Sequence, residues 1–320
     1  PLLRKLGSPW RGRACVLCYH RVMPDQKIES TNCPNSSLIM PVSSFEEQMK
    51  FLAKKHEVVS MEGLLKHISG RSNKFVVSVT FDDGYKDNLS YALPILEKFQ
   101  IPVTIYITTR FPEGDTSMWW YEIWDYLKEN KVLELNFLEK NKKWDITSFK
   151  QKLNCFSELG KWLLGLSSEF QKKALESITQ TKKRKQYSNL VLNWDEIKLL
   201  DKHPLVSIGA HTHSHPNLKN LSEKEAFLEM KISKNILEEK LEHPISHFAY
   251  PFGSPKEADS QEFELARRCG FSEAVTTRPE TIRNPDLYAI PRLGVPHYLT
   301  LNGFIGKLSG WECLIKKLKK

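Results

Sequence analysis

The feature that most constrains the fold is a rhythm of seven short apolar runs, at 14–19, 75–81, 103–108, 205–209, 247–250, 273–277 and 288–293. Their lengths and their Val, Ile, Tyr and Thr content suit parallel strands buried on both faces. Between them lie segments of helical periodicity. Phe45, Met49 and Leu52 share one stripe, with Ser44 and Glu47 spaced as a capping box. Asn88 to Phe99, Trp194 to Asp201, Ser222 to Leu241 and Ser260 to Cys269 read likewise. Ser222 and Glu225 form a second capping-box pattern, and Gly270 is placed to stop the last of these helices. Strand–helix alternation repeated about seven times predicts an α/β barrel, with barrel segments at 14–110 and 191–300.

Residues 111–190 break the rhythm, with few strand signals and many polar helical ones. They predict a helical insertion that opens on Trp119-Trp-Tyr-Glu-Ile-Trp-Asp-Tyr126 and closes on Thr181-Lys-Lys-Arg-Lys185. At helical spacing those aromatics anchor the insertion to the core, although Trp and Tyr faces also stack on sugar rings. A basic C-terminal helix is expected over 301–320. The 320 residues carry a net charge of +9, which permits anionic partners without identifying one. No apolar run approaches the ~18 residues of a membrane span. The six cysteines, Cys15, Cys18, Cys33, Cys155, Cys269 and Cys313, are too sparse for a disulfide scaffold. Cys15 and Cys18 have C-x-x-C spacing, but on a strand residues three apart face opposite ways, so two buried thiols are expected. Free thiols and the lack of a signal-peptide pattern place the expected compartment in the cytoplasm, membrane-associated or not, slightly ahead of the cell envelope.

Two segments concentrate chemistry. Ser78-Val-Thr-Phe-Asp-Asp-Gly-Tyr-Lys-Asp87 puts two adjacent aspartates at the end of an apolar strand, where their burial needs neutralisation. Adjacent residues at a strand end diverge, so one carboxylate can ligate a cation while the other faces a bound water. A plain Asp-Gly turn accounts equally well for the pair taken alone. Ile208-Gly-Ala-His-Thr-His-Ser-His-Pro-Asn-Leu218 holds three histidines within five residues, again after an apolar strand. His211 and His215, four apart, can face one side of a turn and bind a metal, with His213 pointing elsewhere. One Asp and two His would leave positions open for water and substrate, the arrangement of a catalytic zinc site.

Thr80-Phe-Asp-Asp-Gly84, then His211-Thr-His-Ser-His215, then Phe248-Ala-Tyr-Pro-Phe-Gly253 together resemble the polysaccharide deacetylase family, the NodB-homology group also called carbohydrate esterase family four. The resemblance covers 14–110 and 191–298 and leaves out the insertion. It implies a distorted (β/α)7 TIM-like barrel and removal of N-acetyl groups from amino sugars by a metal-bound water. It also implies that Asp83, His211 and His215 ligate a divalent ion, with Zn²⁺ the first choice, that Asp82 is the general base, and that the Phe252 backbone N–H is an oxyanion donor.

Two departures from the family pattern bear on the site. Ala249 stands where the family usually has an arginine that orients the catalytic aspartate, as in relatives acting on poly-N-acetylglucosamine; Arg292, at a later strand end, is the candidate replacement. The general acid, a late histidine in many members, has two candidates, His20 and His297. Leu17-Cys-Tyr-His-Arg-Val22 is similar to the N-terminal Tyr-His motif of the poly-N-acetylglucosamine branch, and His20 ends a strand at the rim shared with Asp82 and His211, so His20 is preferred. It is expected opposite Asp82, with a pKa near or above neutrality. The expected partners are an N-acetylated amino-sugar glycan and, through the basic runs, an anionic membrane or lipid-linked glycan, with no nucleic acid. Hydrolysis of another C–N bond (a cyclic amide or ureide) and a catalytically dead glycan-binding protein are the competing readings.

Overall fold

The computed structural model describes residues 12–27, 35–72, 74–116, 118–283 and 286–310. Seven parallel strands form a nearly closed barrel: β1 (Ala14–Tyr19), β2 (Val76–Phe81), β3 (Val103–Ile107), β4 (Val206–Ala210), β5 (His247–Ala249), β6 (Glu273–Val275) and β7 (Arg292–Gly294). Their order across the sheet is β6-β5-β4-β3-β2-β1-β7, with the two-residue strand Glu57–Val58 beside the start of β2. A parallel bridge from Val275 to Ile290 brings the two edges together. The last strand begins later than its apolar run because Pro291 has no N–H to give to a ladder.

Side chains alternate between two apolar layers, as the pleat requires. Ala14, Val16, Val76, Tyr106, Ala249, Val275 and Ile290 fill the barrel interior. Cys15, Leu17, Val77, Val79, Ile105 and Phe248 face outward onto the helices. Cys15 and Cys18 are buried and form no disulfide. Cys33 and Cys313 lie outside the described residues.

The helix Glu223–Leu241 starts at the Ser222–Glu225 capping box, and Gly270 (φ 79°) follows the helix Ser260–Arg268. The Ser44–Glu47 box does not form: that helix runs Val42–Lys55 with Pro41 at its N-cap. Asp25 instead takes hydrogen bonds from the Ser43 N–H and hydroxyl, supplying from another segment the acceptors that Ser44 was expected to provide. The helix Leu301–Leu308 packs against Val42–Lys55; the basic run from Lys316 lies outside the described residues.

The segment between β3 and β4 has its own core, with Ile123, Trp124, Leu133, Leu135, Trp144, Leu159 and Ile178 buried together. Besides the helices Trp119–Glu129, Phe149–Leu163 and Ser168–Thr179 it contains an antiparallel hairpin, Val132–Phe137 with Lys140–Asp145. A second cluster, in which Trp120 and Tyr187 meet Tyr85, Phe111 and Val191, seats it on the barrel. The basic run at its end folds back on its beginning: Arg184 grips both oxygens of Glu122 at 2.6 and 2.8 Å, and Lys185 reaches Asp125. Two of its four cations are therefore committed to internal pairs. No helix among the described residues is long and apolar enough to cross a membrane.

Candidate active site

All the motif loops leave the C-terminal ends of barrel strands, the rim where barrel folds carry their chemistry. Each loop turns through left-handed backbone at a residue other than glycine: Asp83 (φ 73°) after β2, Thr212 and His215 (61° and 60°) after β4, and Phe252 (60°) after β5. Such conformations cost about 1–3 kcal/mol each and persist where the surroundings fix them. At Gly84 (φ 72°) the left-handed backbone favours glycine, and a Cβ there would also push on Ile107 Cδ1 at 2.9 Å.

The two aspartates diverge. Asp82 is gripped by Arg292, with Nη1 to Oδ1 and Nη2 to Oδ2 both 2.6 Å. Arg292 is fully buried and also donates to Thr80 Oγ1 and the Thr276 carbonyl. Cys18 Sγ donates to Asp82 Oδ2 at 3.5 Å. Burial acts to raise the Asp82 pKa, but the Arg292 charge, seconded by His211, overrides it and holds the carboxyl at about 2. The Arg292 fork thus occupies both oxygens of the Asp82 carboxylate.

Asp83 faces the histidines. Its Oδ1 lies 3.4 Å from His211 Nε2 and 3.3 Å from His215 Nε2, yet, although buried, it accepts no well-formed hydrogen bond among the described residues. The three ligand atoms lie within 4.8 Å of one another. Burial opposes ionisation, but the two imidazoles hold Asp83 well below the usual carboxylate range. A buried anion with an unpaired oxygen between two imidazole nitrogens is a donor set that calls for a cation, and Asp plus two His fits a divalent ion. His211 is oriented by a 2.8 Å hydrogen bond between Nδ1 and the Ala249 carbonyl. The Nδ1 of His215 has no partner; its ring is held instead among Trp120 (centroids 5.4 Å), Phe252 (4.8 Å) and His211 (5.0 Å). Trp120 reaches the site from the insertion, a contact that no local motif announces. His213 turns away to Thr109 Oγ1 at 3.0 Å.

His20 sits partly exposed at the same rim, and one ring nitrogen lies within 4.8 Å of both Asp82 and Cys18 Sγ. It stands beside Asp82 rather than opposite it. Its pKa also departs from expectation: burial drives it down, against the pull of Asp83 and Asp82. His297 is held elsewhere, its N–H bonded to the Ser37 carbonyl and its ring against Tyr298. The Phe252 carbonyl accepts from Thr277 Oγ1, while its N–H has no acceptor among the described residues.

A sequence model of the polysaccharide deacetylase family matches residues 69–274. The fold is similar to that of the Streptococcus pyogenes deacetylase PplD, solved in complex with acetate, at 19% identity over 92% of this chain and 97% of that one, with a TM-score of 0.61. It is similar to IcaB from Ammonifex degensii at 20% identity, covering 94% and 97% of the two chains, with a TM-score of 0.58. A de-N-acetylase from Aggregatibacter actinomycetemcomitans gives a TM-score of 0.59 at 13% identity, covering 92% and 99%. At these identities the likeness establishes the barrel architecture. No curated protein sequence matches.

Proposed function

The chain belongs to the polysaccharide deacetylase family, and on that premise we propose that it hydrolyses N-acetyl groups on the amino sugars of a glycan, with a divalent ion, Zn²⁺ first, held by Asp83, His211 and His215. The observation that carries this reading is the division of labour between neighbouring carboxylates: Asp82 locked in the Arg292 fork, Asp83 turned to two histidines. The ion, when bound, supplies Lewis acidity, which acidifies water and polarises a carbonyl.

The protein's own groups do the rest. Asp82, kept ionised and oriented by Arg292, takes a proton from the attacking water as it adds to the acetyl carbon. The charge that develops on the acetyl oxygen is met by the Phe252 N–H, which has no acceptor to leave among the described residues. Breaking the C–N bond needs a proton on the departing nitrogen, and His20 is the group assigned to give it. Burial lowers its pKa against the pull of both carboxylates, and its partial exposure lets it be recharged from solvent. Acetate and a free amine leave. The test is acetate release from N-acetylated oligosaccharides by protein stripped with a chelator and then reloaded with Zn²⁺. Activity should vanish and return; equal activity in stripped and reloaded protein would refute the metal assignment.

A further inference from the structure

The end of β1 carries a second group of metal-binding side chains, which shares no residue with Asp83, His211 and His215. Ala14 and Val16 face the barrel interior, and the pleat puts Cys18 and His20 next on the same side, while Cys15 faces outward. On β2 the interior row runs from Val76 through Thr80 to Asp82. Cys18 is level with Thr80, and the Asp82 N–H donates to the Tyr19 carbonyl, so continuing the register sets Asp82 beside His20. The Cys18 sulfur, a His20 ring nitrogen and an Asp82 oxygen all lie within 4.8 Å of one another.

The separations suit an ion. A sulfur and a carboxylate oxygen bound to zinc at about 2.3 and 2.0 Å, at a tetrahedral angle, stand about 3.5 Å apart. Cys18 Sγ and Asp82 Oδ2 are 3.5 Å apart. Thiolate, imidazole and carboxylate are all ligands that zinc takes, and three of them leave a fourth position for water. Cys18 and Asp82 are buried, while the partly exposed His20 opens the group to solvent. Two features make this a weaker site than the one at Asp83. The Arg292 guanidinium, bonded to both Asp82 oxygens, repels a cation. Burial keeps the proton on the free Cys18 thiol, so the S–H bond must break, and its proton pass to solvent, as the sulfur–metal bond forms. An ion therefore fills Asp83, His211 and His215 first.

We propose that Cys18, His20 and Asp82 form a second, weaker site for a thiophilic divalent ion such as Zn²⁺, and that filling it shuts the enzyme off. The shut-off rests on the hydrolytic reading above: an ion bound there occupies the carboxylate that must take a proton and the ring that must give one. As Zn²⁺ is added to chelator-stripped protein, acetate release should rise to a maximum near one equivalent. In excess it should fall by about 10²-fold or more, the worth of a general base. Cys18→Ala and Cys18→Ser, each measured against its own maximum, should need roughly 100-fold more Zn²⁺ for the same inhibition, the upper end of what a group supporting a metal is worth. The serine keeps a donor for Asp82, so the two variants separate a lost ligand from a lost hydrogen bond. Co²⁺ reads binding without turnover. Excess Co²⁺ should bring up thiolate-to-cobalt absorption in the wild type and in His211→Ala, and not in the Cys18 variants. Absence of that band in the wild type, its persistence at full strength in the Cys18 variants, or inhibition unchanged in them overturns the proposal and leaves the hydrolytic reading intact. If no loading releases acetate while the band still follows Cys18, the site stands and the hydrolytic reading falls.

Discussion

Replacing Arg292 with Met should disable catalysis through Asp82 without touching a metal ligand. The guanidinium sits at 0% exposure and makes two 2.6 Å bonds to the carboxylate, so the substitution leaves a buried anion with, among the described residues, Cys18 as its remaining side-chain hydrogen-bond donor. Breaking a buried pair in this way costs about 3–5 kcal/mol. In the wild type Asp82 is held at about 2, below its unfolded value, so its contribution to stability is complete above pH ~3.9 and drains away as pH falls toward 2. Without Arg292, burial dominates and raises the pKa, moving the acid limb of kcat/KM upward by roughly two pH units or more. At neutral pH kcat should fall by about 10²–10⁴-fold, the worth of a general base, while metal content stays at one equivalent. Urea unfolding separates charge from packing. In the pair Asp82→Asn and Arg292→Met, the double variant should be more stable than the sum of the single losses predicts, by about 2 kcal/mol. An unshifted acid limb, together with additive stabilities, would refute the claim that Arg292 holds Asp82.

His211→Ala should lose bound metal, measured by elemental analysis, and all acetate release, whereas Asp82→Asn should keep the metal and lose about 10²–10⁴-fold in turnover; metal loss in Asp82→Asn would reverse the two aspartate roles. His20→Gln should retain metal, depress turnover and flatten the alkaline limb of the rate profile, because a donor works only below its pKa and burial sets that of His20 low. His297→Ala, held against Ser37 and Tyr298, should do less, and the opposite ranking would move the acid role to His297. Trp120→Leu should weaken Zn²⁺ affinity about tenfold in a chelator competition, since ring packing rather than a hydrogen bond orients His215.

The strand–helix rhythm and both motif loops were legible because strands buried on both faces read as apolar runs, and because the site sits in short turns that keep their residues contiguous. Arg292 was legible only as a strand-end residue; its bond to Asp82 joins positions 210 apart, which no spacing encodes. The hairpin at 132–145 was missed although Leu133 and Leu135 alternate with exposed neighbours, because its second strand exposes most of its residues and carries no apolar run. The Ser44 cap failed for a tertiary reason, Asp25 arriving from another segment. The sequence places His20 at the strand end it occupies, but rim membership does not set the side of Asp82 on which it stands.

The clasp between Glu122, Asp125 and the Arg184–Lys185 pair has an entropic consequence. Strands β3 and β4 are hydrogen-bonded neighbours, Val103 with Val206, but the chain between them is long enough that closing it as a free loop would carry a large entropy cost. The insertion has its own core and ends fastened near its beginning, so once it has folded the segment spans a short gap instead of a long one. With the insertion folded, pairing of β3 with β4 closes a shorter effective loop. The pair Arg184–Glu122, remote from the chemistry, thus shortens the gap that the chain between β3 and β4 has to span.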